Sequence, residues 1–431
     1  MIYNKIFQKI IFPLSEAYSG TTIQKKLKFL LKSQYWSKKQ IEEYQNKRLR
    51  ELIKHAYENV PYYTNLFDAL GLKPSDIKTK KDLKKIPFLT KEIIRNNYEE
   101  LRANNFKNKS FVKYTSGSTG SPMHFYLTKE DYSWIWAVEF RNWTRAGYNL
   151  GDKYVKLSLN NDRVKLSKQI QDRFMRCRYV YTLGMDENNI KRYIEHMIKY
   201  QPKIIYGYSS SLYILAKYME KNHITYNPNA VLTTAENLLP STRRRLEKVF
   251  KCKVYDLYGC GGEGLNIAAQ CEKEKYHVNE EVVILEFEHN EILVTSLNNY
   301  AMPLIRYKPG DLVTSGSNCD CKRNTLILKQ INGRSTDVVI TGRGDVMTTY
   351  FFTQFLEYIE GIEEFQIMQN NINNITIKIV KNDKYVKDTE TKIKKYIQKG
   401  ASKKFEIYFQ YVQSIPSEKN GKRKIIDNRL K

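Results

Sequence analysis

No apolar stretch in the 431 residues reaches the roughly 20 residues that a membrane-crossing helix requires, which argues against an integral membrane protein. Cysteine is scarce: the six stand at positions 177, 252, 260, 271, 319 and 321. They form no dense disulfide framework, and a chain of this length needs none to hold a core. Acidic side chains are in deficit, with 46 Asp and Glu against 72 Lys and Arg, giving a net charge of +26. No zinc-finger, homeodomain or RNP signature accompanies that charge, so no nucleic-acid partner is expected. Internal repeats and long single-residue tracts are also missing, which excludes a repeat array. The N-terminal run MIYNKIFQKIIFPL is broken by Lys5 and Lys9 and so makes a poor secretory signal, and a cytoplasmic protein is expected. Ile2, Ile6 and Ile10 fall on one helical face, which suits either a helix docked on the protein's own core or peripheral association with anionic lipid. Pro13 is expected to end that helix.

Apolar residues make up 41% and aromatics 13%, enough for a packed globular core. The positive charge fits an anionic partner such as a multiply phosphorylated small molecule. Residues 1–110 read as basic and mostly helical. From 111 to 335 strands and helices alternate, with strands at 203–208, 231–236 and 253–259 and helices at 190–200, 211–221 and 240–250. That rhythm implies right-handed crossovers and a parallel sheet, with ligand loops beyond the strand carboxyl ends. Hairpins follow over 281–331. From 336 to 431 a small α+β unit is expected, joined to the rest through INGRST (331–336).

Thr115, Ser116, Gly117, Ser118, Thr119 and Gly120 form a hydroxyl-rich and glycine-rich run between two β-prone segments. Consecutive backbone N–H groups in such a run can form an anion-binding concavity; a plain surface turn is the alternative. It is not a Walker loop, because Ser121-Pro122-Met123 replaces the Gly-Lys-Ser/Thr ending. Four further clusters follow: Tyr206-Gly207-Tyr208-Ser209, Tyr258-Gly259-Cys260-Gly261-Gly262-Glu263, Arg306-Tyr307-Lys308-Pro309-Gly310-Asp311, and Gly333-Arg334-Ser335-Thr336. Asn420-Gly421-Lys422 lies near the end. Cys319-Asp320-Cys321 is a tight ligand pair, and Cys271 precedes His277 by six residues. Two such pairs could close a structural Cys₃His zinc site, or be ordinary cysteines.

In order and spacing, this ensemble resembles the adenylate-forming ligase superfamily over roughly residues 45–431, and within it the phenylacetate–CoA ligase-like branch that includes capsule-locus members. The resemblance implies an α/β fold: a large N-terminal domain with mixed, mainly parallel sheets, plus a small mobile α+β C-terminal domain. It implies that ATP and a small carboxylic acid give an acyl-adenylate and pyrophosphate. The acyl group then passes to CoA or, alternatively, to a sugar amine, sugar hydroxyl or carrier thiol; a catalytically degenerate binding relative is a further alternative. Residues 115–120 would grip the β- and γ-phosphates, Glu263 would hold Mg²⁺, and Tyr258, Gly259, Asp311 and Arg334 would contact the nucleotide. Tyr206, Gly207, Ser209, Ala235 and Glu236 would line the acyl pocket. Lys422 would neutralise the reacting carboxylate and α-phosphate, and Thr336 would be the hinge. The Cys271, His277, Cys319, Cys321 set also resembles a zinc cluster of that branch. One departure stands out: Glu263 lies five places after Tyr258, where the family usually has four.

Overall fold

The computed structural model describes residues 2–114, 123–158, 166–182, 187–260, 263–334, 337–386, 388–401, 405–416, 418 and 424–430. Within these, β1 (Ser110–Tyr114) and β2 (His124–Thr128) form a separate hairpin, so the ends of the 115–122 segment are held side by side, with Tyr114 opposite His124.

The main sheet takes its parallel half from β3 (Tyr154–Ser158), β4 (Cys177–Tyr181), β5 (Ile204–Tyr208), β6 (Ala230–Thr234) and β7 (Lys253–Cys260). Its antiparallel half is β8 (Leu265–Gln270), β9 (Tyr276–Val278), β10 (Val283–Glu288), β11 (Glu291–Ser296), β12 (Asp311–Ser315) and β13 (Ile327–Arg334). The order across the sheet is β10-β11-β12-β13-β9-β8-β7-β6-β5-β3-β4. β7 is the seam, parallel to β6 and antiparallel to β8.

Alternation explains the parallel half. Val155, Ile205, Val231 and Val254 pack on one face against Ile194, Leu212, Leu215, Leu246 and Phe250 of the helices Glu187–Tyr200, Ser209–Lys221 and Pro240–Phe250. Their neighbours Tyr154, Ile204, Ala230, Leu232 and Tyr255 join a second core that includes Phe140 and Trp143 of the helix Lys129–Arg145. A strand covered on both faces needs apolar residues at successive positions, and these strands have them.

The N-terminal region is helical, as expected. Ser37 caps Lys38–Asn59 with a reciprocal bond to Gln40, and Pro61 both ends that helix and opens the next at its first position. The C-terminal strands β14 (Val338–Ile340) and β15 (Val346–Thr348) pair with each other. β16 (Ile362–Asn371), β17 (Asn374–Lys381), β18 (Glu406–Tyr411) and β19 (Ile426–Asn428) make a four-stranded sheet in the order β18-β17-β16-β19. This unit has its own core, in which Ile367, Ile377 and Ile379 meet Phe352, Ile393 and Ile397. It docks on the large sheet's helices through the Lys217–Glu363 ion pair (2.7 Å) and the bond from Ser241 N–H to Glu357 Oε2 (2.9 Å).

Within the large sheet, parallel pairing runs over β3–β7; in the C-terminal sheet β16 pairs in parallel with β19 and β17 with β18. Two local expectations change. Pro13 does not end the first helix: the run continues through it from the π turn Phe7–Ile11, the Gln8 carbonyl accepts from Gln24 Nε2 at 2.6 Å, and Gly20, at φ 68°, ends the helix. Residues 331–334 are not a linker, because β13 runs through Arg334 and pairs with Asp311 there.

Candidate active site

The carboxyl ends of β5, β6 and β7 open onto one cavity of about 1630 Å³, closed on the far side by Lys424, Ile425 and Asn428 of the C-terminal unit. A crevice at the carboxyl ends of parallel strands is where α/β sheets place ligands, because the loops there diverge from the covering helices.

Asp311, Tyr258 and Arg334 converge from three strands. Tyr258 Oη donates to Asp311 Oδ2 at 2.7 Å, and Arg334 Nε lies 3.9 Å from Asp311 Oδ1. Burial and the adjacent Asp311 push the Tyr258 phenol far up, so it stays a donor. Gly259 is required by packing: a side chain there would collide with the Leu265 carbonyl. Glu263 is 9% exposed, and its Oε1 accepts from the buried Tyr307 phenol at 3.2 Å. This carboxylate faces the cavity with one oxygen tethered.

At the end of β6, Ala235 has a φ of 65°. A non-glycine residue in that region costs on the order of 1–2 kcal/mol and persists only where its surroundings hold it. The turn aims Glu236 at the start of the Ser209–Lys221 helix, where its carboxylate accepts from Ser210 N–H at 2.8 Å and Ser210 Oγ at 3.0 Å. A carboxylate at a helix N-terminus satisfies orphan donors and opposes the dipole. Tyr206, Ser209, Ala235 and Glu236 all line the cavity; Gly207 does not, and a side chain there would collide with Leu157.

Lys113, Glu139 and Lys156, all on the cavity wall, were not singled out in the sequence. Burial, with Lys156 nearby, pushes the Lys113 ammonium down to about 8, against the pull of Glu263 and Glu139. Burial raises Glu139, while a bond from Tyr206 and the charge of Lys156 oppose that rise. Lys156 Nζ lies 5.7 Å from the Trp136 ring and 5.6 Å from the Tyr206 ring. The only sequence signal for Lys113 is its place just before the 115–122 run.

Residues 115–120, Thr336 and Lys422 lie outside the described residues. The described flanks of all three, Tyr114 and Met123, Arg334 and Asp337, and Glu418 and Lys424, line the cavity.

Away from the cavity, the Cys271, His277, Cys319 and Cys321 ligand atoms lie within 4.8 Å of one another. Cys271 Sγ is 3.7 Å from Cys319 Sγ, far beyond a disulfide bond, and Cys321 Sγ is 3.1 Å from His277 Nε2. A tetrahedral zinc with bonds of about 2.3 Å to sulfur would separate two thiolates by about 3.8 Å, so the donor set fits zinc. His277 Nδ1 is 3.0 Å from Thr325 Oγ1, a partner that can fix the ring with Nε2 facing the thiolates.

Residues 339–429 match the family model of the CapK C-terminal domain. The chain is 26% identical over 408 residues to protein CapK of Staphylococcus aureus, covering 90% of this chain and 89% of that protein. It is also 26% identical to phenylacetate-coenzyme A ligase of Pseudomonas putida, covering 79% and 81%. In fold it is similar to a 2-hydroxyisobutyryl-CoA ligase in its postadenylation state with a bound acyl-AMP, with a TM-score of 0.76, 17% identity, and 91% and 90% coverage. Against the same ligase in its thioesterification state with acyl-AMP and CoA, the TM-score is 0.60. The chain is thus similar in sequence to CapK and to a phenylacetate–CoA ligase, and its fold is that of the adenylate-forming ligases.

Proposed function

We propose that the chain is an AMP-forming ligase that activates a carboxylic acid as its acyl-adenylate and passes the acyl group to CoA. The observation that carries this reading is the convergence of Tyr258, Asp311, Arg334 and Glu263 on one cavity with the ends of the 115–122 segment. Asp311, an acceptor, suits the ribose hydroxyls, and Arg334 beside it suits ribose or phosphate. Mg²⁺, a hard cation that binds carboxylate and phosphate oxygens, would supply charge neutralisation during pyrophosphate departure. Glu263 is the cavity carboxylate suited to hold it. Lys113 adds a cation in a partly dehydrated setting, where charge acts strongly on developing negative charge.

Lys422 enters this reading as the residue that neutralises the carboxylate and α-phosphate, and Thr336 as the hinge. Boundaries of 1–110, 111–335 and 336–431 are proposed for the helical part, the nucleotide-binding core and the lid. The higher similarity to the postadenylation arrangement supports a lid closed over the nucleotide. Trp136, Tyr206, Lys156 and Glu139 on the wall suit an acid that is aromatic and carries a polar group. The Cys₃His cluster is proposed to hold a structural zinc.

The test is ATP–pyrophosphate exchange across a panel of carboxylic acids. Acid-dependent exchange is expected; absence of exchange with normal ATP binding would refute the enzyme reading in favour of a degenerate binding relative. Lys422→Ala should abolish exchange while sparing transfer from a supplied adenylate. Offering CoA, an amino sugar and a carrier thiol to the accumulated adenylate then decides the acceptor.

A further inference from the structure

The first helical segment has two faces with different fates. Phe7 and Phe12, one π turn apart, are buried and touch each other with ring centroids 5.5 Å apart, and Phe12 packs on Phe140. On the other side Ile2, Ile6, Ile10, Leu14 and Tyr18 are 78%, 44%, 54%, 67% and 93% exposed. In an ideal α-helix, residues spaced by four drift about 40° per step, so a line from position 2 to position 14 would wind by about 120°. The π turn over Phe7–Ile11, with its wider i→i+5 winding, takes back most of that drift. The result is a straight apolar line on the solvent side of a helix anchored by two phenylalanines.

The line continues sideways. Tyr3 Oη donates to the Phe174 carbonyl at 3.2 Å, and Phe174 and Ile170, one turn apart on the helix Leu166–Phe174, are 57% and 47% exposed. Lys5 and Lys9 on the helix and Arg173 beside Phe174 are exposed, as are Lys25, Lys28 and Lys32 on the following helix, whose Gln24 bonds the Gln8 carbonyl. The first 41 residues hold eight lysines and one acid, Glu16, which is buried. Nearby Glu130 is paired with Lys26 at 2.7 Å. No described helix is long and apolar enough to cross a membrane.

We propose that this face seats the protein on an anionic lipid bilayer, with Ile2, Ile6, Ile10 and Leu14 inserted at the headgroup boundary and Lys5 and Lys9 on the anionic headgroups. An in-plane helix with an apolar line and a lysine rim is the arrangement that binds such surfaces. A second copy of the chain fits less well, since docking two identical faces would oppose Lys5 and Lys9 with their own counterparts. This placement is independent of the chemistry in the cavity.

Flotation of the full chain with vesicles tests it, using phosphatidylcholine alone or with roughly a third phosphatidylglycerol. Binding to the anionic vesicles should exceed binding to the neutral ones at least about tenfold and fall with added salt. The Ile6→Ser/Ile10→Ser/Leu14→Ser variant should lose at least about tenfold of that binding with an unchanged melting temperature, because the three side chains are already solvent-exposed. Lys5→Glu/Lys9→Glu should lose the preference for the anionic lipid. The proposal fails if the wild type floats with neither vesicle, or if the triple serine variant binds undiminished. It also fails if light scattering shows a dimer that the serine variant breaks while lipid binding is absent, which would give the face to a second copy.

Discussion

Asp311 and Arg334 are register partners on β12 and β13, yet their side-chain charges stop 3.9 Å apart, and it is Tyr258 from the parallel half that closes on the carboxylate at 2.7 Å. The antiparallel ladder brings the acid and the guanidinium together, and the seam strand β7 supplies the phenol. In the proposed reaction this leaves Asp311 Oδ1 for a ribose hydroxyl. Asp311→Asn should raise the KM for ATP about tenfold, the loss of roughly one charge-assisted hydrogen bond. It should also narrow the wild-type preference for ATP over 2′-deoxy-ATP. An unchanged preference would remove Asp311 from the ribose.

Glu263 separates metal binding from positioning. Glu263→Gln should reduce kcat by two orders of magnitude or more, about 3 kcal/mol. Tyr307→Phe keeps the carboxylate but frees the oxygen held at 3.2 Å, so it should raise the Mg²⁺ concentration for half-maximal rate a fewfold, about 1 kcal/mol or less. Titrating Mg²⁺ in both variants checks the pair; equal Mg²⁺ dependence in wild type and Glu263→Gln would exclude Glu263 as ligand.

Lys113, with its ammonium pushed down to about 8, predicts a pH dependence. In the folded protein the side chain is cationic below that value and neutral above it. Affinity for pyrophosphate should therefore fall as pH rises through about 8, and Lys113→Met should be weaker and flat over that range. The stability sign runs the other way. The unfolded lysine holds its proton up to 10.5, so the unfolded state binds more protons between about 8 and 10.5. The group's contribution is full above 10.5 and is lost as pH falls through about 8. Isothermal titration at several pH values tests the binding half, and a wild-type profile matching that of Lys113→Met would refute it.

The Cys₃His cluster predicts about one zinc per chain by elemental analysis. Cys319→Ser should lose the metal and at least about 5 °C of melting temperature. Because none of the four ligands lines the cavity, ATP–pyrophosphate exchange at low temperature should persist. A metal-free protein of undiminished stability would contradict the assignment.

The strand–helix rhythm from 190 to 259 announced β5–β7 and their covering helices because strands packed on both faces must be apolar at successive positions. The same logic does not reach the 304–310 segment, which looks strand-like but is mostly irregular, with Leu89 and Val294 bridging Tyr307. Pro13 reads as a terminator, yet the π turn before it carries the helix on and Gln24 bonds the Gln8 carbonyl, a partner that the local pattern does not show. Asp311, Tyr258 and Glu263 were legible through the glycines beside them. Lys113, Lys156 and Glu139 were not, since each sits in an ordinary amphipathic pattern and acquires meaning only when three elements bring the side chains to one wall.

The cavity of about 1630 Å³ has walls on two bodies, with Lys424 and Asn428 on one and Tyr258 and Asp311 on the other. A ligand seated in such a chamber touches both walls at once, as work does between the jaws of a vise. In the proposed two-step reaction, any movement of the C-terminal wall would have to break and remake contacts such as Lys217–Glu363 and Ser241–Glu357.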